Sequence, residues 1–296
     1  MSQKFLRRSL LYIPGSSLKM IGKAAALNPD AVIFDLEDAV SVSEKDQARE
    51  NVTAALPALV GGRKEIIVRI NGMDTLWGFH DLMAVIPQKP DAIILPKADE
   101  KAIIACDLTM GAIERSLGMK AGAVKLIPLF ETTYAIANAY QVLGAAARID
   151  GVQLGAEDLT KEQEISRTPG GSEILYARQQ LAMAARARQI DIIDTPFTGI
   201  RDVDGLQADS ALAKRIGFTG KTCIHPAHID MINEIFSPSE QEIENARGII
   251  ATLDEAVAAG RGACMYQGKM IDAPIAERAH RILVKASLIA AKERAE

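Results

Sequence analysis

Cysteine is scarce in this chain of 296 residues: Cys106, Cys223 and Cys264 stand far apart, with no CxxC pair and no Cys/His cluster. That excludes a disulfide scaffold and a zinc site of the usual spacing, and it predicts reduced, buried thiols. Aromatic residues make up only 4% of the chain, too few for a base-stacking platform. Neither sign of charge dominates, since 34 basic residues face 38 acidic ones for a net charge of -4, and nucleic acid is not an expected partner. No run approaches the ~18 uninterrupted apolar residues of a membrane helix, so no membrane partner is expected either. The opening MSQKFLRRSLLYIPG is basic but has no long apolar core and no cleavage site, which predicts a cytoplasmic protein. GxGxxG, GxSxG and Walker loops are missing too, against dinucleotide, hydrolase and kinase chemistry.

What is present is a hydrophobic fraction of 48% arranged with a clear rhythm. Short apolar, β-branched runs fall at 10–14, 31–37, 65–71, 92–97, 125–131, 151–157, 191–197 and 221–226. They lack polar alternation, as strands buried on both faces do. Helical patterns lie between them, for example at 44–59, 101–117, 133–146 and 172–188. Eight strand–helix units predict an α/β fold, a (β/α)8 TIM barrel over residues 1–236. Beyond Phe236 the rhythm changes. A helix with Ser237 or Ser239 as its cap, a short piece turning at Gln267-Gly268 and a final helix near Pro274 predict a C-terminal helical arm or lid over 237–296. It is too short for a core of its own and is expected to pack on the barrel or on a neighbouring subunit.

Active sites of such barrels sit at the C-terminal ends of the strands. Those ends carry Asp35, Glu37, Asp38, Arg69, Asn71, Lys97, Glu131, Glu157, Asp158, Asp194 and His225. Carboxylates without soft ligands point to a hard cation such as Mg2+. Glu131 and Asp158, closing consecutive strands, are the best ligand pair; each also suits the cap of the helix that follows. Arg69 ends a wholly apolar strand, so its guanidinium needs an anion: a substrate carboxylate or carbonyl, or a structural ion pair with Asp35, Glu37 or Asp38. The amides of Ala156 and Glu157, at a helix start in GAED, could bind a substrate carboxylate beside the metal. The IPGSS turn with Ser16, and Lys97, are candidate contacts for a cofactor phosphate. Lys97 also suits an ion pair; Schiff-base chemistry is disfavoured, as no apolar pocket is evident to depress its pKa. For His225 and His228 a capping or core role is favoured over a metal pair.

The ordered set RRSLLYIPGSS, FDLEDAV, VRING, ILPKA, FET, LGAEDL, GFTGKTCIHP and GKMIDAP closely resembles the citrate lyase β-subunit-like proteins of the wider HpcH/HpaI aldolase and citrate lyase family, from about Arg7 to the last helix. That resemblance implies a homotrimeric or hexameric barrel that uses Mg2+ to make or break a carbon–carbon bond beside an acyl thioester. By the same resemblance Glu131 and Asp158 are metal ligands and Arg69 is the substrate-binding, enolate-stabilising residue. Asp35, Glu37 and Asp38 support the metal from a distance or through water, and Asp272 reaches a neighbouring subunit's site. Dedicated citrate lyase subunits commonly carry GKSLINP where this chain has GKTCIHP, the histidine form of relatives that act alone on coenzyme A thioesters. The expected reaction is therefore cleavage of a citramalyl-CoA, malyl-CoA or citryl-CoA type of substrate to acetyl-CoA and a 2-oxo acid. The alternatives are a citrate lyase β subunit acting on citryl-acyl-carrier protein, a metal-dependent pyruvate aldolase, and a non-catalytic acyl-CoA or 2-oxo-acid binding protein.

Overall fold

A computed structural model describes residues 5–294. The eight apolar runs form β1 (Ser9–Pro14), β2 (Ala31–Asp35), β3 (Glu65–Arg69), β4 (Ala92–Leu95), β5 (Lys125–Phe130), β6 (Gly151–Leu154), β7 (Asp191–Asp194) and β8 (Gly220–Cys223). All pair in parallel and in chain order, and β1 meets β8 through Ser9–Lys221, Leu10–Thr222 and Leu11–Cys223, which closes the barrel. Helices between the strands cover the outside, so each strand is buried on both faces and has no need of polar alternation.

Side chains still alternate in direction along each strand, and this parity sorts the core in two. Leu10, Ala31, Ile33, Ile67, Ala92, Ile94, Ile127, Leu129 and Ile193 pack together as a cluster drawn only from strands, the barrel interior. Their neighbours Leu11, Val32, Phe34, Val68, Ile93, Leu126 and Ile192 face outward, against helix residues such as Val52, Leu82, Ile103 and Leu181. Continued towards the C-terminal ends, the inward parity selects Tyr12, Asp35, Arg69, Glu131, Gln153, Gly155, Thr195 and Ile224. The same parity sends Asp194 outward. It joins Arg178 (2.8 Å), and with Lys221 (2.6 Å) and Asp209 completes a buried quartet of two cations and two carboxylates that ties β7 and β8 to the helices Leu175–Arg188 and Val203–Ile216.

Several predicted helices are shorter than their apolar periodicity. Pro57 turns the end of the second into a 3-10 turn, Leu56–Ala58, after the helix Lys45–Ala55. The stretch 133–146 breaks into Thr133–Ala137 and Ala139–Val142, because Asn138 leaves helical geometry and its side-chain amide donates to the Tyr134 carbonyl.

The chain divides after Phe236 into two compact units. The second holds the helix Glu240–Ala258, the hairpin strands β9 (Cys264–Tyr266) and β10 (Lys269–Ile271), and the helix Ala273–Glu293. Ser239, rather than Ser237, caps the first helix, with Glu242 completing a capping box. Gln267 and Gly268 both take positive φ (48° and 75°), the geometry a two-residue hairpin turn requires. No helix among the described residues is long and apolar enough to cross a membrane.

Candidate active site

At the C-terminal mouth of the barrel the inward residues open into a cavity of about 440 Å³. Its wall includes Tyr12, Asp35, Asp38, Arg69, Leu129, Glu131, Gln153, Ala156, Glu157, Asp158, Thr195 and Ile224. Strand register assembles it. Asp35 lies directly beside Arg69 across the β2–β3 ladder, and Leu129 beside Gln153 across β5–β6.

Arg69 is held from three sides. Its Nε and Nη2 donate to the two oxygens of Asp35 at 2.7 and 2.6 Å, and its guanidinium carbon sits 4.9 Å from the centre of the Tyr12 ring. Nη1 lies 2.8 Å from Glu37 Oε2 and 3.4 Å from Asp38. The Glu37 contact lacks hydrogen-bond geometry, since Oε2 is buried without a hydrogen-bond partner. It is a charge contact only, so Nη1 is not tied down by Glu37. Burial opposes the charge on Arg69, but Tyr12, Asp35 and Glu37 outweigh it and keep the group protonated far above its ordinary value. The structural ion pair and the functional placement thus coincide at one residue. Asp35 also accepts from the backbone amides of Glu37 (2.9 Å) and Ala39 (3.0 Å), so it serves as a fixed clamp.

Glu131 is only 4% exposed, and its Oε1 accepts the Lys97 backbone amide at 2.7 Å. Lys97 adopts a left-handed conformation (φ 46°), strain of the kind found at functional positions. Gly155 is required opposite: a Cβ there would lie 2.6 Å from Glu131 Cβ and 2.7 Å from its Oε2. Burial, then Glu37 and Asp158, push the Glu131 carboxyl up to about 8, against the pull of the Lys97 amide and Arg69. Burial raises Glu37 as well, to about 7, with Arg69 opposing and Asp38 and Asp35 reinforcing.

The donor set fits a small, hard dication. Asp35, Glu37, Asp38, Glu131 and Asp158 outnumber the cations near them, Arg69, Lys97 and Lys45, and the Glu37 and Glu131 carboxyls are raised first by burial and then by neighbouring carboxylates. Among the described residues no three His, Cys, Asp or Glu side chains form a ready-made cage. Two carboxylates facing a cavity, with water and substrate oxygens to complete the octahedron, are enough for such an ion.

The remaining candidates separate. The Ala156 amide donates to Thr195 Oγ1 (3.3 Å), and the Glu157 side chain pairs with Arg167 (3.2 Å) at the rim. Lys97 Nζ stands 3.7 Å from Glu37 with its side chain 57% exposed, and Ser16 is half-buried in the turn after β1; neither lines the cavity. Asn71 is spent on the Leu36 carbonyl and Asp81. His225 caps its own turn through the Ala227 amide, and His228 is buried beside the Ile200 carbonyl. Cys106 and Cys223 are buried free thiols, pushed by burial up to about 12. Asp272, in the second unit, is exposed and caps the helix Ala273–Glu293 by accepting from the Ile275 amide (3.3 Å). Sequence reasoning missed Tyr12, Gln153 and Thr195. The signal for Gln153 was its polarity inside the otherwise apolar run GVQLG; Tyr12 and Thr195 needed strand parity.

A model of the HpcH/HpaI aldolase/citrate lyase family matches residues 8–226. Citrate lyase subunit beta of Leuconostoc mesenteroides subsp. cremoris is 37% identical over 284 residues, 96% of this chain and 94% of that protein. The (3S)-malyl-CoA thioesterase of Cereibacter sphaeroides is 38% identical over 284 residues, 96% of each chain. Among solved structures, protein CitE of Mycobacterium tuberculosis in complex with magnesium, acetoacetate and coenzyme A has a TM-score of 0.76 at 28% identity, over 94% of this chain and 97% of that one. The chain belongs to the HpcH/HpaI aldolase/citrate lyase family.

Proposed function

We propose that the protein is a Mg2+-dependent carbon–carbon lyase that cleaves a 3-hydroxy-3-carboxyl acyl-CoA of the citramalyl-CoA, malyl-CoA or citryl-CoA type to acetyl-CoA and a 2-oxo acid. The observation that carries this reading is one cavity holding both a clamped guanidinium and two hard carboxylates, Glu131 and Asp158. Glu131 and Asp158 would hold Mg2+, which would supply Lewis acidity to the substrate's oxygens.

The chain's own groups do the rest. Glu131, fixed by the Lys97 amide, and Asp158 line the cavity as the ligands for that ion. Removal of the hydroxyl proton releases the carbon–carbon bonding pair to the thioester carbon, and the enolate oxygen takes the charge. Arg69, aimed by Asp35 and Tyr12, meets that charge with a guanidinium that stays protonated throughout, and such a donor typically lowers the barrier by about 2.7–4 kcal/mol. Asp272 is assigned as base or proton donor to a neighbouring subunit's site in a homotrimer or hexamer. The remainder of this reading is a cytoplasmic location and small-molecule partners, with no role for nucleic acid or membrane.

Support comes from the relatives. The CitE structure is described with magnesium and coenzyme A, and another from the same organism with oxaloacetate and magnesium. The thioesterase relatives favour a second outcome, hydrolysis of the same class of thioester. A panel of acyl-CoA thioesters incubated with Mg2+ and followed by mass spectrometry separates the two. Acetyl-CoA with a 2-oxo acid marks the lyase; free coenzyme A with an intact hydroxy acid marks the hydrolase. No product from any thioester, with turnover of a free hydroxy-oxo acid instead, would indicate an aldolase.

A further inference from the structure

One polar pair, Tyr12 and Gln153, stands among apolar side chains of the barrel interior just below the cavity, and its tyrosine touches Arg69. Tyr12 and Gln153 project inward from β1 and β6 among Leu10, Ile33, Ile67, Ile94, Ile127 and Leu129. The phenol and the amide are joined across the barrel: Tyr12 Oη donates to Gln153 Oε1 at 3.1 Å, or accepts from Nε2 at 2.9 Å. Gln153 is 2% exposed, so this pairing is what makes its burial tolerable. It also fixes the ring. With the hydroxyl pinned to β6, the ring lies against the guanidinium of Arg69, its centre 4.9 Å from the guanidinium carbon.

The carboxylates alone do not determine where Arg69 points. Asp35, itself fixed by two backbone amides, holds Nε and Nη2 in a fork, which leaves the guanidinium able to tilt about that bonded edge and swing Nη1. On Nη1, Glu37 adds a charge contact without hydrogen-bond direction, and the exposed Asp38 accepts only a long hydrogen bond of 3.4 Å. A ring face under the guanidinium supplies the missing restraint, because cation–π attraction holds the cation over the ring face. We propose that Tyr12 is a positioning residue: its ring, anchored by Gln153, keeps Arg69 Nη1 aimed into the cavity, where the thioester enolate oxygen develops charge. This rests on the reading of Arg69 as the group that meets that charge. Tyr12 acts through Arg69 and not on the substrate, so the ring is the needed part and the hydroxyl serves only to seat it.

The test is a set of variants at Tyr12 measured in two ways. On a turned-over thioester, Tyr12→Leu should lower kcat about tenfold with little change in KM, and Tyr12→Phe should recover most of the loss because the ring remains. In an Arg69→Lys background, Tyr12→Leu should add no further loss, since the planar group it positions is gone. A Tyr12→Phe variant as slow as Tyr12→Leu, or an undiminished Tyr12→Leu effect in the Arg69→Lys background, overturns the proposal. The contact is also read without turnover. In urea unfolding, Tyr12→Leu should lower the midpoint less in an Arg69→Gln background than in the otherwise unmodified protein, and additive effects overturn the contact. If the unmodified protein turns over no thioester while that coupling is present, the assigned reaction is refuted and the positioning of Arg69 by Tyr12 is supported.

Discussion

Replacing Glu131 by glutamine should make the metal-free protein more stable, although it removes a group at the centre of the site. An acid whose pKa is raised in the folded state holds a proton that the unfolded chain releases. Between 4.5 and about 8 the folded chain therefore binds more protons at Glu131 than the unfolded chain, so stability falls as pH rises through that window. Each pH unit crossed within it costs the folded chain about 1.4 kcal/mol, so by pH 7 the loss reaches roughly 3 kcal/mol. Glutamine carries no such cost, and its amide oxygen can still accept the Lys97 N–H. Urea unfolding in the presence of a chelator should show Glu131→Gln more stable than the parent by roughly 2–3 kcal/mol at pH 7 and nearly equal to it at pH 5. Added Mg2+ reverses the order: the parent gains stability by binding, and the variant, without the charged ligand, gains little. A variant less stable than the parent at pH 7 in chelator would refute the buried-charge argument. A Mg2+-induced stabilisation equal to the parent's would remove Glu131 from the metal site.

Arg69→Lys should lower kcat by about 10²–10³, because a point charge cannot both fill the Asp35 fork and face the cavity; a large stability loss with normal kcat would leave only the ion pair. Gly155→Ala drives a methyl group into Glu131 and should weaken Mg2+ binding by about 10–100-fold, read by isothermal titration. Lys97→Gly keeps the amide that holds Glu131 and relieves about 1 kcal/mol of left-handed strain, so Mg2+ affinity should survive; loss of all activity in that variant would restore a role for the amine. Asp272→Ala removes a helix cap worth about 1 kcal/mol and should cost activity far more than stability. Exchange of its subunits with those of inactive Arg69→Ala should regain activity, and confirmed exchange without recovery would exclude action across chains.

Strand positions were legible because burial on both faces leaves a local mark, a short apolar run such as AVIFD or AIIL, that needs no knowledge of the partner strand. Eight such marks separated by helix-length segments imply barrel closure, and closure places the strand ends at one mouth. Arg69, Glu131 and Asp158 could thus be chosen from sequence, and all three line one cavity. Helix ends were harder: Asn138 interrupts a helix whose apolar spacing runs straight through it.

What tertiary structure decided is which neighbour each group meets. The pairing of Arg69 with Asp35 follows from lateral register between β2 and β3, which no single segment encodes. Asp194 and Thr195 are adjacent in sequence, yet parity buries one in an outer ion quartet and turns the other into the cavity. Tyr12 and Gln153 stand 141 residues apart and meet only because closure folds β1 and β6 around one interior. Local composition reports whether a side chain is buried. Only the closed barrel reports against what, and the charge balance and aim of this site depend on that second quantity.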